Sequence, residues 1–204
     1  LTPIFAGENI YNSELNLYDP NLNKLYSVQF KNFPSIKFDL IDLKKCQNTY
    51  EQIIKLKEDL FAGLCLDPVS KLEVFDSKGV IYDHVQFNSF STKAGLKMQA
   101  YLAFNSDLNL LIAASYKTGY IAAYNLNSKH LFLKWELLLT PIITKKSDNR
   151  LVLDPERNKS GFSEIKFSNN KIFALYKGMY LKDEKGRTKE ALPQNILVIS
   201  LKGD

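Results

Sequence analysis

Histidine, cysteine and tryptophan are scarce in this chain, and their scarcity limits its chemistry. Among 204 residues there are two His, two Cys and one Trp. His84, His130, Cys46 and Cys65 do not form a cluster of three metal ligands at usable spacing, so no metal site is expected. Cys46 and Cys65 lie 19 apart with no Cys-x-x-Cys pattern. They permit one disulfide without implying one, and they leave the compartment unread. No apolar run of ~18 residues is present, so no transmembrane helix is expected. No block of five like charges occurs and the net charge of +5 is spread out, so nucleic-acid binding has no support. A Gly-rich phosphate loop is also missing, and no cofactor is expected. The chain opens Leu1-Thr2-Pro3, without an initiator Met or a signal-like apolar segment. We expect a processed product, a fragment or part of a longer chain.

Aromatic residues are plentiful, with 11 Tyr and 13 Phe. They favour β structure, where such side chains fill a pleated, half-buried surface. Apolar content of 45% against 24% charged is enough for a real core.

Four segments repeat a strand-like pattern. They are Leu15-Asn16-Leu17-Tyr18-Asp19, Leu72-Glu73-Val74-Phe75-Asp76, Ile121-Ala122-Ala123-Tyr124-Asn125 and Leu197-Val198-Ile199-Ser200. Tyr18, Phe75, Tyr124 and Ile199 are 57, 49 and 75 apart. In the first three, a tight turn and another strand follow: Lys24–Phe30, Val80–Phe87 and Lys129–Trp135. Earlier strands precede the later ones: 99–105 and 109–116 in one unit, 162–168 and 171–177 in another. Asn, Asp, Gly and Ser between alternating strands are hairpin signals. Each unit therefore reads as a four-stranded antiparallel meander, the blade of a β-propeller. The expected fold is all-β, with about four blades from a six-bladed ring: residues 1–30 in part, 31–88, 89–139 and 140–204 in part. The segment 49–63 carries helix signals in Thr49, Gln52 and Gly63. Repeat consistency favours strands at Glu51–Lys57 and Leu60–Leu66. The far end reads as a strand, 195–201, followed by a turn.

One stretch carries a more specific signal. Ser160-Gly161-Phe162-Ser163-Glu164-Ile165-Lys166-Phe167-Ser168-Asn169-Asn170-Lys171-Ile172-Phe173-Ala174-Leu175-Tyr176-Lys177-Gly178 resembles one blade of the TolB-like six-bladed propeller family of Bacteroidetes proteins. There, a Gly-Phe opening, a turn and an Ala-Leu-Tyr strand recur, followed by a hydrophilic excursion and a strand such as Ile196–Leu201. Family members usually hold nearly six blades, often behind a lipoprotein signal. The resemblance implies a propeller fold and a periplasmic or cell-surface location, with no catalytic set to carry over.

A Ser hydrolase requires a nucleophile, a His base and an orienting acid. Gly161-Phe162-Ser163-Glu164-Ile165 misses the elbow pattern because Ile replaces the second Gly. His84 and His130 both fall in a fourth strand, expected at a blade's outer edge. Asp154/Glu156 and Asp183/Glu184 are the available carboxylate pairs, each in a charged loop. Asp148, Asn149 and Asp154 lack calcium-loop order. Asn158-Lys159-Ser160 matches a glycosylation sequon. Tyr101, Phe104, Tyr116, Tyr120, Tyr124, Phe173 and Tyr176 read as packing between blades.

Two charged loops remain, Thr140–Ser160 and Gly178–Gln194, with nine Lys/Arg against six Asp/Glu. Strand direction alternates in a meander, so both are expected on one sheet edge, where binding loops commonly sit. The candidate binding residues are Lys145, Lys146, Arg150, Asp154, Arg157, Lys182 and Arg187. The expected function is a non-enzymatic binding or scaffold module for a protein, saccharide or small polar ligand. The alternative is a propeller hydrolase or lyase acting on a polar or saccharide substrate, with carboxylates at the channel mouth.

Overall fold

The computed structural model describes residues 4–9, 14–32, 35–43, 50–65, 69–87, 97–147, 150–180, 182 and 195–204. The described elements are strands, and several of the turns between them hold a left-handed residue. Asn169 (φ 48°) and Asn170 (φ 58°) form a two-residue hairpin turn of the twist-matched kind. Asn23, Asn109 and Ser128 are also left-handed at their turns.

The first sheet runs in order through β1 (Ile4–Asn9), β2 (Glu14–Asp19), β3 (Lys24–Asn32) and β4 (Ser35–Asp42). The second comprises β5 (Tyr50–Lys57), β6 (Leu60–Cys65), β7 (Lys71–Phe75) and β8 (Ile81–Gln86). The third comprises β9 (Ala100–Asn105), β10 (Leu110–Ser115), β11 (Tyr120–Asn127) and β12 (His130–Leu138). A separate hairpin follows, β13 (Thr144–Ser147) with β14 (Arg150–Leu153). The last sheet has three strands, β15 (Phe162–Ser168), β16 (Lys171–Tyr176) and β17 (Asn195–Ser200). Neighbouring strands are antiparallel in every sheet.

The sheets stack face to face in chain order. Tyr18 and Leu25 of the first sheet pack on Ile53, Phe61 and Phe75 of the second. Ala62, Leu64, Leu72 and Val74 pack on Leu111, Ala113 and Tyr120 of the third. Leu110, Ile112, Ala114 and Ile121 pack on Phe162, Ile165, Ile172 and Ile199 of the last. Middle sheets thus bury both faces, which is why β6 and β10 are buried along their whole length. The first strands of successive sheets adjoin: β5 lies beside β1, β9 beside β5, and β15 beside β9.

The pairing corrects three expectations. Ser35–Asp42 pairs with β3, so the first sheet extends past residue 30 and Tyr18 lies in its second strand, not its third. Thr140–Ser160 is not simply a loop, because it contains the β13–β14 hairpin. Strict alternation along 162–168 would put Phe162 on the same face as Glu164. A register shift between those residues instead turns Phe162 into the core beside Ile165, while Glu164 and Lys166 form an exposed pair at 3.0 Å.

The 49–63 segment is strand from Tyr50 on, and its helix-like signal has a physical cause. Tyr50, Ile53 and Leu56 are buried at every third position. Two register shifts, at Tyr50/Gln52 and Lys55/Lys57, reset the alternation. Gly63 lies within β6 under the Tyr50 ring, whose nearest carbon would sit 2.4 Å from an added Cβ.

Candidate functional site

The described ends of the two charged loops meet. Ser160 N–H donates to the Met179 carbonyl (2.6 Å), Gly178 N–H to Ser160 (3.1 Å) and Lys182 N–H to Pro155 (3.2 Å). Lys159 and Tyr180 form an antiparallel bridge, with Lys159 Nζ 5.6 Å from the Tyr180 ring centre. Residues 155–160 therefore lie against residues 178–180 and 182, as strand direction predicted.

Asn158 braces this rim from within. Its Oδ1 accepts from Ile143 N–H (3.0 Å), and its Nδ2 donates to the Ile143 and Asp154 carbonyls. The side chain is buried and its amide is occupied, which removes it as a glycosylation acceptor in the folded protein. Asp154 N–H donates to the Ile143 carbonyl, and Asp154 Oδ1 accepts from Glu156 N–H (3.1 Å).

The candidate residues divide accordingly. Lys145, Lys146 and Arg157 are exposed, and Lys182 is half-buried beside Pro155. Asp154 is half-buried and pairs loosely with Lys145 at 3.9 Å, so it shapes the turn more than it offers a free carboxylate. Arg150 begins β14. Arg187 and the Asp183/Glu184 pair lie outside the described residues, as do Asp148 and Cys46. His84 and His130 are exposed on β8 and β12, the outer strands of their sheets, with His130 Nδ1 3.8 Å from Asp83 Oδ2. Cys65 is buried at the end of β6. Tyr120, Tyr124 and Tyr176 are buried, while Tyr101 is exposed.

A second polar centre lies on the adjoining first strands. The register shift after Tyr50 makes Glu51 the extra residue of β5, and bulges of this kind re-aim a side chain. Gln99 Nε2 and the Tyr116 hydroxyl both donate to Glu51 Oε1, each at 2.7 Å. Gln52 Oε1 next to it accepts from Leu102 N–H of β9 (2.9 Å). The Tyr101 and Tyr116 rings are tilted against each other at 5.7 Å, and Lys117 Nζ lies 6.0 Å from the Tyr116 ring centre. Glu51 Oε2 and Gln99 Oε1 are buried acceptors without a partner among the described residues.

Burial raises the Glu51 pKa above the ordinary carboxylate value, against the opposing pull of Tyr116, Gln99 and the Lys117 charge. Burial, reinforced by the Glu51 acceptor, also pushes the Tyr116 hydroxyl well above its usual value. A protonated Glu51 would supply a donor in a corner where two acceptors lack one. Periodicity could not single out Glu51, because only the bulge and the partner sheet distinguish it from other strand glutamates.

The Gly-Phe opening of β15 has a steric basis. Gly161 N–H donates to the Tyr116 carbonyl (3.1 Å), and an added Cβ would come within 2.0 Å of the Ser115 carbonyl oxygen and 2.1 Å of that of Thr118. Ser115 Oγ accepts from the Lys117 and Thr118 amides, which sets the turn that Gly161 rests on.

No family model matches the sequence, and no curated protein matches it. Among solved structures, the chain resembles a protein from Bacteroides uniformis ATCC 8492 described as a "putative 6-phosphogluconolactonase", with 14% identity and a TM-score of 0.50. The match covers 98% of this chain and 56% of that one, so the chain spans little more than half the length of its structural neighbour. The computationally designed Ika4 protein matches at 12% identity and a TM-score of 0.39, over 96% of this chain and 89% of its own. The first likeness concerns fold alone. Together with the pairing pattern it defines a class: an all-β protein of antiparallel sheets.

Proposed function

We propose that the chain is an arc of a β-propeller that serves as a non-enzymatic binding or scaffold module. In this reading each sheet is a blade and β1, β5, β9 and β15 are the inner strands. We further propose that it belongs with the TolB-like six-bladed proteins of Bacteroidetes and is exported to the periplasm or cell surface. The adjoining of the first strands of successive sheets carries the propeller reading. Radial packing produces that neighbour relation, whereas two sheets of a simple sandwich do not repeat it.

The recognition surface is the rim stitched by Ser160, Met179 and Asn158, with Lys145, Lys146 and Arg157 outward and Lys182 beside them. A weakly basic rim favours an anionic or polar ligand, by about 1 kcal/mol or less for each exposed charge pair. Biolayer interferometry with polygalacturonate and neutral dextran tests this. The expected result is salt-sensitive binding of the acidic polymer, weakened by Lys145→Glu, Lys146→Glu and Arg157→Glu together. Equal or no response to both polymers, or indifference to the triple change, would remove the rim as a binding face.

Glu51 favours a second reading, a hydrolase or lyase with a carboxyl at the channel mouth. A half-buried carboxyl whose pKa is raised keeps its proton to higher pH than a free one, as a general acid requires. Turnover of either polymer that disappears in Glu51→Gln would establish that reading.

A further inference from the structure

β5 and β9 adjoin but belong to different sheets, so side chains rather than a backbone ladder hold the seam between them. Two consecutive residues of β5 do so. Glu51 Oε1 accepts from Gln99 Nε2 and from the Tyr116 hydroxyl, and Gln52 Oε1 accepts from Leu102 N–H. Neighbours on a regular strand point to opposite faces. Both reach the third sheet because the register shift between Tyr50 and Gln52 re-aims Glu51.

The contact between Glu51 and Gln99 is half of a pair. A carboxylic acid and a primary amide can join through two hydrogen bonds, amide N–H to carboxyl oxygen and carboxyl O–H to amide oxygen. The first is made, at 2.7 Å. The atoms of the second, Glu51 Oε2 and Gln99 Oε1, are both closed to solvent and both lack a donor among the described residues. An ionised Glu51 has no donor to offer, which leaves two buried acceptors unsatisfied, a costly arrangement. One proton on Oε2 removes both defects. The titratable groups facing Glu51 are Tyr116 and Lys117 after β10 and Tyr101 on β9. β6 places Cys65 across from Tyr50, while β1 and β2, which also adjoin β5, carry Glu8, Glu14, Tyr18 and Asp19. Lys117 is the one cation among these groups, and its charge favours the ionised form.

We propose that folded Glu51 keeps its proton at a pH where the unfolded chain has lost it, pairs with Gln99 through both hydrogen bonds, and so latches the second sheet to the third. Release of the latch breaks the Glu51 O–H bond and passes the proton to solvent. Oε2 and Gln99 Oε1 are then left as two acceptors with no donor between them, and the seam loosens. Burial of the carboxyl acts in the same direction, since it outweighs Tyr116, Gln99 and the Lys117 charge and holds the Glu51 pKa above its ordinary value. The latch is therefore closed at low pH and released as pH rises through the folded pKa. It needs no substrate, so it stands or falls separately from any catalytic role of Glu51.

Carbon-13 NMR of the chain labelled at its glutamate carboxyls and glutamine amides, titrated over pH, tests the proposal. The Glu51 carboxyl should titrate above its midpoint in the urea-unfolded chain, and the Gln99 side-chain amide should shift with that same midpoint. Hydrogen exchange at the Leu102 amide reads the seam, because Gln52 holds that N–H across it. Glu51→Gln keeps both hydrogen bonds through a second amide and cannot titrate. Relative to that variant, the native chain should lose protection at Leu102 as pH rises, by up to about tenfold for each unit by which the pKa is raised. A Glu51 carboxyl that titrates at or below its unfolded midpoint overturns the proposal. So does one that titrates higher while the Gln99 amide stays still, since burial alone then holds the proton. A ratio of Leu102 exchange between the native chain and Glu51→Gln that stays constant with pH overturns the latch. The titration needs only the native chain, so it decides even where the variant fails to fold.

Discussion

The third and fourth sheets use the same local devices and reach opposite environments. Both are antiparallel, with alternating strands and Asn- or Ser-bearing turns. β10 is buried at every residue and β11 at all but two, because the second sheet covers one face and the fourth covers the other. In the fourth sheet burial alternates along β16, and β17 is mostly exposed. The number of covered faces, not strand propensity, sets how much each side chain contributes. A leucine or isoleucine is worth several kcal/mol in one sheet and almost nothing at the edge of the next.

The largest expected effect sits in the sealed sheet. Ile112→Ala should cost about 4 kcal/mol, because the cavity lies between two packed sheets and cannot collapse readily. Urea unfolding measures it, and a loss under 1 kcal/mol would contradict the two-sided burial. Gly161→Ala comes next, at about 3 kcal/mol, since the new Cβ meets backbone carbonyls that cannot turn aside. If it is tolerated, the third and fourth sheets do not contact each other at Ser115–Thr118.

Asn158→Ala removes three hydrogen bonds at the base of the β13–β14 hairpin and should cost about 2 kcal/mol. Its effect should be local. Trypsin cleavage at Lys145 and Lys146 should accelerate more than global unfolding does, and equal acceleration would mean that the hairpin is part of the cooperative core.

Two carboxyls should move stability in opposite directions with pH. Glu51 has a raised pKa, so the folded state holds its proton more tightly than the unfolded state. Stability then falls as pH rises from the ordinary carboxylate range through the folded pKa. Asp76 is the reverse case. Burial works against its ionised form, but hydrogen bonds from the Tyr82 hydroxyl and the Val80 and Lys78 amides, with the Lys129 charge, hold its pKa low. The stability it contributes is present above the unfolded pKa and is lost as pH falls through the folded one. Urea midpoints at acid and neutral pH should show Glu51→Gln steepening the loss toward acid and Asp76→Asn flattening it. The same sign for both would refute the Glu51 assignment. The smallest expected effect closes the comparison: Ile196→Ala should change stability by no more than about 0.5 kcal/mol.

Alternation and turn residues were enough to place β9 to β12 and β15 to β17 within a residue or two, apart from longer ends on β11 and β12. Those signals act between residues a few positions apart, so a single sequence carries them. The sequence also placed the described ends of the two charged loops together, because strand direction alternates by necessity. It could not decide which sheet takes Ser35–Asp42, nor anticipate the bulges that turn Phe162 inward and give Tyr50, Ile53 and Leu56 a helix-like spacing. Bulges and sheet membership are set by pairing with partners far along the chain. The polar centre shows the limit most clearly. Glu51 meets Gln99 and Tyr116 across 48 and 65 residues, through a bulge that only the folded sheet defines. Most strands could be read from alternation and turn residues; which carboxyl meets a partner sheet depended on how the sheets came together.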